Sequence, residues 1–102
     1  MKSDAQQSSP LVGRFAPSPT GRIHAGNIVS ALIGWLFVKQ SNGLIILRIE
    51  DLDRSRSRDE YATQLMRDYE ALGLTWDQGP YFQSERFELY KTNFEKLYQL
   101  KY

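Results

Sequence analysis

The strongest constraint on the fold is the stretch Arg14-Phe15-Ala16-Pro17-Ser18-Pro19-Thr20-Gly21-Arg22-Ile23-His24-Ala25-Gly26-Asn27. It holds two prolines, two glycines and the chain's only histidine. Pro17 and Pro19 lack a backbone N–H, so neither a helix nor a paired strand runs through them. An apolar run precedes the stretch and a longer one follows it. The expected path is a strand over Leu11–Phe15, a rigid loop, then a helix from about Ala25 to Gln40. Such a loop, feeding a helix N-terminus, is a ready setting for binding phosphate.

The first helix contains Ile28–Val38, where nine of 11 residues are apolar, so burial on most sides is expected. Asn42-Gly43 supplies a left-handed stop. Leu44-Ile45-Ile46-Leu47 reads as a strand covered on both faces. Strand, helix and strand in this order form a right-handed βαβ unit. Ser57 and Glu60 have the spacing of a capping box. Tyr61, Leu65, Tyr69 and Leu72 then make one apolar stripe of a second helix, ended by Gly73. Trp76–Pro80 reads as loop, with a turn at Gly79-Pro80. Ser84 is the expected N-cap of a third helix, whose stripe is Phe87, Tyr90, Phe94, Leu97 and Tyr98. That helix runs on through Leu97–Tyr102 with no glycine stop.

At 102 residues the chain has the length of one small domain. Two parallel strands make a poor core, because both faces and both edges need partners. Residues 11–102 therefore read as the first half of a larger α/β domain. Residues 1–10, rich in serine and glutamine, read as a disordered N-terminal extension. Hydrophobic residues make up 41% and charged residues 25%, and the net charge of +1 argues neither for nor against a nucleic-acid partner. Cysteine is absent, which removes disulfides and thiolate metal sites and fits a reducing compartment. The longest apolar stretch is too short to span a bilayer, and Met1–Pro10 lacks the apolar core of a signal peptide. A cytoplasmic protein without a membrane partner is expected.

Two segments carry the chemistry. Gly21 and Gly26 flank His24 at the start of a helix, where free N–H groups and the helix dipole attract anions. The glycine spacing is not that of a dinucleotide-binding loop. His24 is either a donor to phosphate as charge builds in a transition state or simply a polar helix-start residue. Arg48-Ile49-Glu50-Asp51-Leu52-Asp53 closes the second apolar run, at the strand end where parallel sheets bind ligands. It is either a ligand-binding cluster or a surface ion-pair group with Arg54, Arg56 and Arg58. The acids at 50, 51 and 53 lack further oxygen ligands at calcium-loop spacing, so no protein-held metal is expected. Arg14 ends the first strand and could grip a carboxylate bidentately. Glu50 could meet an ammonium group, and the two together would suit an amino acid. Tyr81, Phe82, Tyr90, Tyr98 and Trp35 are expected in the core.

These residues resemble class I glutamyl-tRNA synthetases. The likeness rests on Arg-Phe-Ala-Pro-Ser-Pro-Thr-Gly at 14–21, Ile-His-Ala-Gly-Asn at 23–27, Arg-Ile-Glu-Asp-Leu-Asp at 48–53 and Gly-Leu-Thr-Trp-Asp-Gln-Gly-Pro-Tyr-Phe-Gln-Ser-Glu-Arg at 73–86. Ile23–Asn27 stand where that family carries its HIGH-type motif, with Asn27 in place of the last histidine. The resemblance implies a Rossmann-like class I catalytic domain, of which this is the first half. It implies activation of L-glutamate by ATP, with Mg2+ arriving on ATP, and transfer of the glutamyl group to tRNA. It assigns Arg14, Phe15, Ala16, Pro17, Ser18 and Glu50 to glutamate. It assigns Thr20, Gly21, His24, Gly26 and Asn27 to ATP, with His24 and Gly26 catalytic.

Two branches of the family fit. Full glutamyl-tRNA synthetases usually carry Thr at the position of Leu52 and Arg-Thr at the position of Val29-Ser30. The shorter glutamyl-queuosine tRNA(Asp) synthetases often show residues like those found here, and the reading leans towards them. Zinc ligands of that branch would lie beyond Tyr102. The family's second ATP motif, of the Lys-x-Ser-Lys kind, is absent from the chain. Groups that act as a unit lose most of their effect when divided. Weak or no activity is therefore expected of these 102 residues alone. The alternative is an inactive remnant or interaction module that keeps weak ATP or glutamate binding.

Overall fold

The computed structural model describes residues 10–21 and 23–101. The expected disordered extension lies outside the described residues, except for Pro10. The order of elements is β1 (Val12–Phe15), α1 (Ala25–Lys39), β2 (Leu44–Ile49), α2 (Asp59–Ala71), β3 (Gln78–Phe82), a short 3₁₀ turn (Gln83–Arg86) and α3 (Phe87–Gln99). The three strands form one parallel sheet in the order β1-β2-β3.

Burial alternates along β2: Ile45, Leu47 and Ile49 are buried, while Leu44, Ile46 and Arg48 are half-buried. The odd-numbered side chains join Phe15, Ala31, Val38, Ala62, Leu65, Tyr69 and Leu74 in a single core. Helices α1 and α2 therefore cover the same face of the sheet. Each fully buried Ile or Leu contributes roughly 1.5–3 kcal/mol. The opposite face carries Arg14 and Ile46 side by side in register, so β2 is covered on one face rather than both.

Helix α1 starts where expected, but only Ala31 and Val38 are buried. Ile33 and Phe37 are about 60% exposed. Its apolar composition exceeds what two adjoining strands can cover. Trp35 is half-buried against the core and donates its indole N–H to the Thr75 carbonyl at 2.9 Å. Asn42 takes a φ of 56°, the expected left-handed stop.

Helix α2 has Ala62, Leu65 and Tyr69 buried, and Gly73 follows it with φ +77°. Leu72, expected in the apolar stripe, is exposed. The capping box does not form. Arg58 is the N-cap, no side chain caps the helix, and the Ser57 hydroxyl is buried without a partner.

The segment read as a loop at 76–80 instead leads into β3. Ile46 pairs with Gln78 and Arg48 with Tyr81, so β3 carries one extra residue against β2. Gly79 and Pro80 form this bulge, which lets a proline sit in a strand without breaking its ladder. Ser84 lies inside the 3₁₀ turn, and α3 begins only at Phe87. No residue of α3 is buried. Of the aromatics expected in the core, Phe82 packs against it, whereas Tyr81 and Tyr98 are exposed. Tyr90 is half-buried on α3.

Candidate functional site

The proline loop is held by its own carbonyls. Pro17 O accepts from Glu50 N at 2.8 Å, and Pro19 O accepts from Arg58 N at 3.2 Å. Pro19 is fully buried. The loop after β1 is thus fastened to the segment after β2 and to the start of α2. Prolines serve well here, because they donate nothing yet accept freely and pre-set φ.

Arg14, Phe15, Ala16, Pro17, Ser18, Thr20, Gly21, His24 and Asn27 line one cleft of about 880 Å³ beside β1 and α1. Leu65 and Tyr69 reach the same cleft from α2. Burial pushes the Tyr69 phenol above its ordinary value of 10.0. Arg14 is exposed at the end of β1, so its guanidinium is free to meet a ligand.

His24 is the N-cap residue of α1, with extended backbone, and its carbonyl accepts from Asn27 N and Ile28 N. No side chain caps the helix and no acid sits in its first turn. The remaining first-turn N–H groups are left for a ligand, and the dipole there favours an anion. A Cβ on Gly26 would come to 3.8 Å from the His24 ring, so the imidazole lies over Gly26 and not out in solvent alone. Gly26 does not line the cleft itself.

Glu50 is bonded to the loop through its backbone, but its side chain does not line the cleft. Its carboxylate pairs instead with Arg48 at 3.3 Å, both side chains being about one-third exposed. The Nε of Arg48 is buried with no partner. The neighbouring Asp51 is 3% exposed. It accepts from Ser84 N at 2.8 Å, Ser84 Oγ at 2.7 Å and Arg54 at 3.1 Å. The acidic cluster therefore divides. Glu50 stays accessible, Asp51 is committed internally, and Asp53 bonds Ser55 at 2.6 Å. Among the described residues no group of three or more His, Asp or Glu gathers in a way that could hold a metal ion, and no helix is long and apolar enough to cross a membrane.

Sequence reasoning missed Ser84 as a partner of Asp51, because a serine before an apolar stripe reads equally well as an N-cap. It also missed Asp77, which accepts from Ile45 N at 2.8 Å and Lys39 Nζ at 2.7 Å. A single aspartate in a segment taken for loop carries no signal of that role.

The profile of class I tRNA synthetase catalytic domains for glutamate and glutamine matches residues 10–100. A glutamate–tRNA ligase of Buchnera aphidicola is 50% identical over 84 residues, covering 82% of this chain and 18% of that protein. A glutamyl-Q tRNA(Asp) synthetase of Symbiobacterium thermophilum is 48% identical over 95 residues, covering 85% of this chain and 29% of that protein. The crystal structure of a glutamate tRNA ligase from Elizabethkingia meningosepticum, in complex with its amino acid, superposes with a TM-score of 0.82 at 35% identity. That match covers 89% of this chain and 20% of the other. The chain thus spans between about a fifth and a third of the length of these relatives.

Proposed function

The chain belongs to the class I tRNA synthetases for glutamate and glutamine, and from that premise we propose that it forms the glutamate- and ATP-facing first part of a catalytic domain. The reaction joins the glutamate carboxylate to the α-phosphate of ATP, releases pyrophosphate, and then passes the glutamyl group to tRNA. The observation that carries the reading is the single cleft that gathers Arg14, the proline loop and His24.

Each residue has a role that its position permits. Arg14 at the end of β1 takes a substrate carboxylate, where a planar guanidinium binds two oxygens at once. Glu50, accessible at the end of β2, takes the ammonium group and exchanges Arg48 for it. Phe15, Ala16, Pro17 and Ser18 form the wall between these two charges. Thr20, Gly21, Gly26 and Asn27 border the phosphate path, and the α1 N-terminus attracts the triphosphate. His24 donates to a phosphate oxygen as the glutamate carboxylate attacks in line. The contribution is positioning and electrostatic stabilisation rather than covalent chemistry. Magnesium belongs to ATP in this scheme, since it keeps most of its waters and binds mainly through phosphates.

The acceptor is read from Leu52 and Val29-Ser30, which favour the glutamyl-queuosine type acting on tRNA(Asp). Leu52 and Val29 are each about half exposed, so neither is dictated by the core. Identities of 48% and 50% to the two kinds of relative do not separate them.

Glutamate-dependent ATP–pyrophosphate exchange tests the activity. Exchange that needs glutamate and is lost in Arg14→Ala and Glu50→Ala supports the reading. Exchange indifferent to both substitutions overturns the glutamate assignment, and absence of exchange favours a binding remnant. Charging of queuosine-bearing tRNA(Asp) against tRNA(Glu) decides the acceptor.

A further inference from the structure

Asp51 accounts for a feature that the ligand-facing residues do not explain. It is a nearly buried carboxylate beside Glu50 that is not among the residues lining the cleft of Arg14 and His24. Both of its oxygens are used: Oδ1 accepts from the Ser84 backbone N–H at 2.8 Å, while Oδ2 accepts from the Ser84 hydroxyl at 2.7 Å and from Arg54 at 3.1 Å. A carboxylate that receives both donors of one serine is a two-point clamp, geometrically more demanding than a single hydrogen bond. The clamp joins residues 33 apart, from just beyond β2 to the turn just beyond β3.

Glu50 lies between two fixed points. Behind it, its own N–H is bonded to Pro17 O at 2.8 Å. Ahead of it, Asp51 is held to Ser84. Without the second point, the segment after Ile49 keeps the Pro17 bond and the local turn in which Asp53 O accepts from Arg56 N and Ser57 N, but loses its tie to the turn beyond β3. We propose that Asp51 is the positioning residue for Glu50, and that its clamp on Ser84 sets where the amino-acid ammonium is received. The proposal rests on the reading of Glu50 given above, and the test separates the two.

Asp51→Asn keeps the shape but places an NH2 opposite one of the two Ser84 donors. Ser84→Ala removes only the hydroxyl and is the milder change. Two measurements on the whole chain decide the matter. In the first, amide hydrogen exchange is followed without ligand. The Glu50 amide is expected to exchange at least tenfold faster in both variants, while the Leu44 amide, bonded to Leu11 O between β1 and β2, keeps its protection. Unchanged Glu50 exchange overturns the proposal whether or not glutamate binds. Loss of protection at both amides marks general unfolding and also counts against it.

In the second measurement, dissociation constants for L-glutamate and for ATP are compared. Both variants are expected to weaken glutamate about three- to tenfold and leave ATP unchanged, with the double variant no worse than Asp51→Asn. Equal weakening of both ligands would overturn the positioning role. If Glu50→Gln leaves glutamate binding as it was, the reading of Glu50 fails. If Glu50→Gln weakens glutamate and the Asp51 and Ser84 variants do not, the positioning proposal fails alone.

Discussion

The ring of Phe15 lies 5.0 Å from that of Tyr69, tilted by 44°. Phe15 is the last residue of β1, immediately before the proline loop, and Tyr69 stands on α2. Both are nearly fully buried and both reach the cleft. This pair ties the start of the loop to α2, which begins at Asp59, well beyond β2 in the chain. Aromatic pairs at this distance and tilt contribute about 0.5–1.5 kcal/mol beyond area burial.

Phe15→Ala is expected to cost roughly 3–5 kcal/mol, the usual range for removing a buried aromatic. That is a large share of the stability of a small domain, about 5–15 kcal/mol. Urea denaturation followed by far-ultraviolet circular dichroism measures it. A loss under about 1 kcal/mol would mean that the loop does not depend on this packing.

Asp77 makes stability depend on pH. The hydrogen bond from Lys39, helped by the Ile45 amide, holds its carboxyl below the ordinary value of 3.8. A carboxyl with a lowered folded-state value contributes stability that is fully present above its unfolded value and is lost as pH falls through the folded one. The denaturation midpoint should therefore be flat from neutral pH to about pH 5 and fall below pH 4. Asp77→Asn should lower the midpoint at pH 7 and flatten the acid limb. The side chain is solvent-accessible, so the slope should also shrink in high salt. An acid limb identical in Asp77→Asn would assign the effect to other carboxyls.

The parts of the fold legible in the sequence are those written in local chemistry. Pro17, Pro19 and Asn42 marked breaks that the chain does make, and the apolar run at Leu44 marked β2. The parts that were not legible depend on partners far along the chain. Gln78–Phe82 contains a glycine and a proline and so reads as a turn, yet it pairs with β2 once a bulge absorbs Gly79 and Pro80. Ser57 and Ser84 both fit capping patterns, but Ser84 is claimed by Asp51 and Ser57 caps nothing. Most of the continuous motif from Arg14 to Asn27 lines one cleft, a grouping that local sequence can suggest because the residues are neighbours in the chain. That Arg48 occupies the Glu50 carboxylate is not written in the spacing of the two residues.

Two glycines should respond with opposite sign to the same substitution. Gly79 has φ +100°, and a Cβ there would collide with the Leu47 backbone oxygen, which no rotamer change can relieve. Gly79→Ala should cost at least about 1–2 kcal/mol from the backbone conformation alone, and more from the collision. Gly34 lies within α1, and a Cβ there meets nothing within 4 Å. Gly34→Ala should raise stability by about 0.5–1 kcal/mol. Thermal melts of the two variants beside the parent chain test both signs at once. A neutral Gly79→Ala would show that β3 does not approach β2 as closely as described.

His24→Ala should separate binding from catalysis. The imidazole lies over Gly26 at the uncapped start of α1, so removing it leaves the backbone N–H groups to hold the ground-state phosphates. A donor that acts on charge developing in the transition state is worth about 10²–10³ in kcat. An interaction made equally in ground and transition states would instead raise KM and spare kcat. If the proposed function holds and exchange is measurable, glutamate-dependent ATP–pyrophosphate exchange should show kcat falling by two to three orders of magnitude. On the proposed assignment of Arg14 and Glu50 to glutamate, KM for glutamate should stay unchanged. His24→Asn, which retains a neutral donor at shorter reach, should recover part of the loss. A rise in KM for ATP with kcat preserved would make His24 an ordinary binding residue and move the transition-state role to the helix N-terminus.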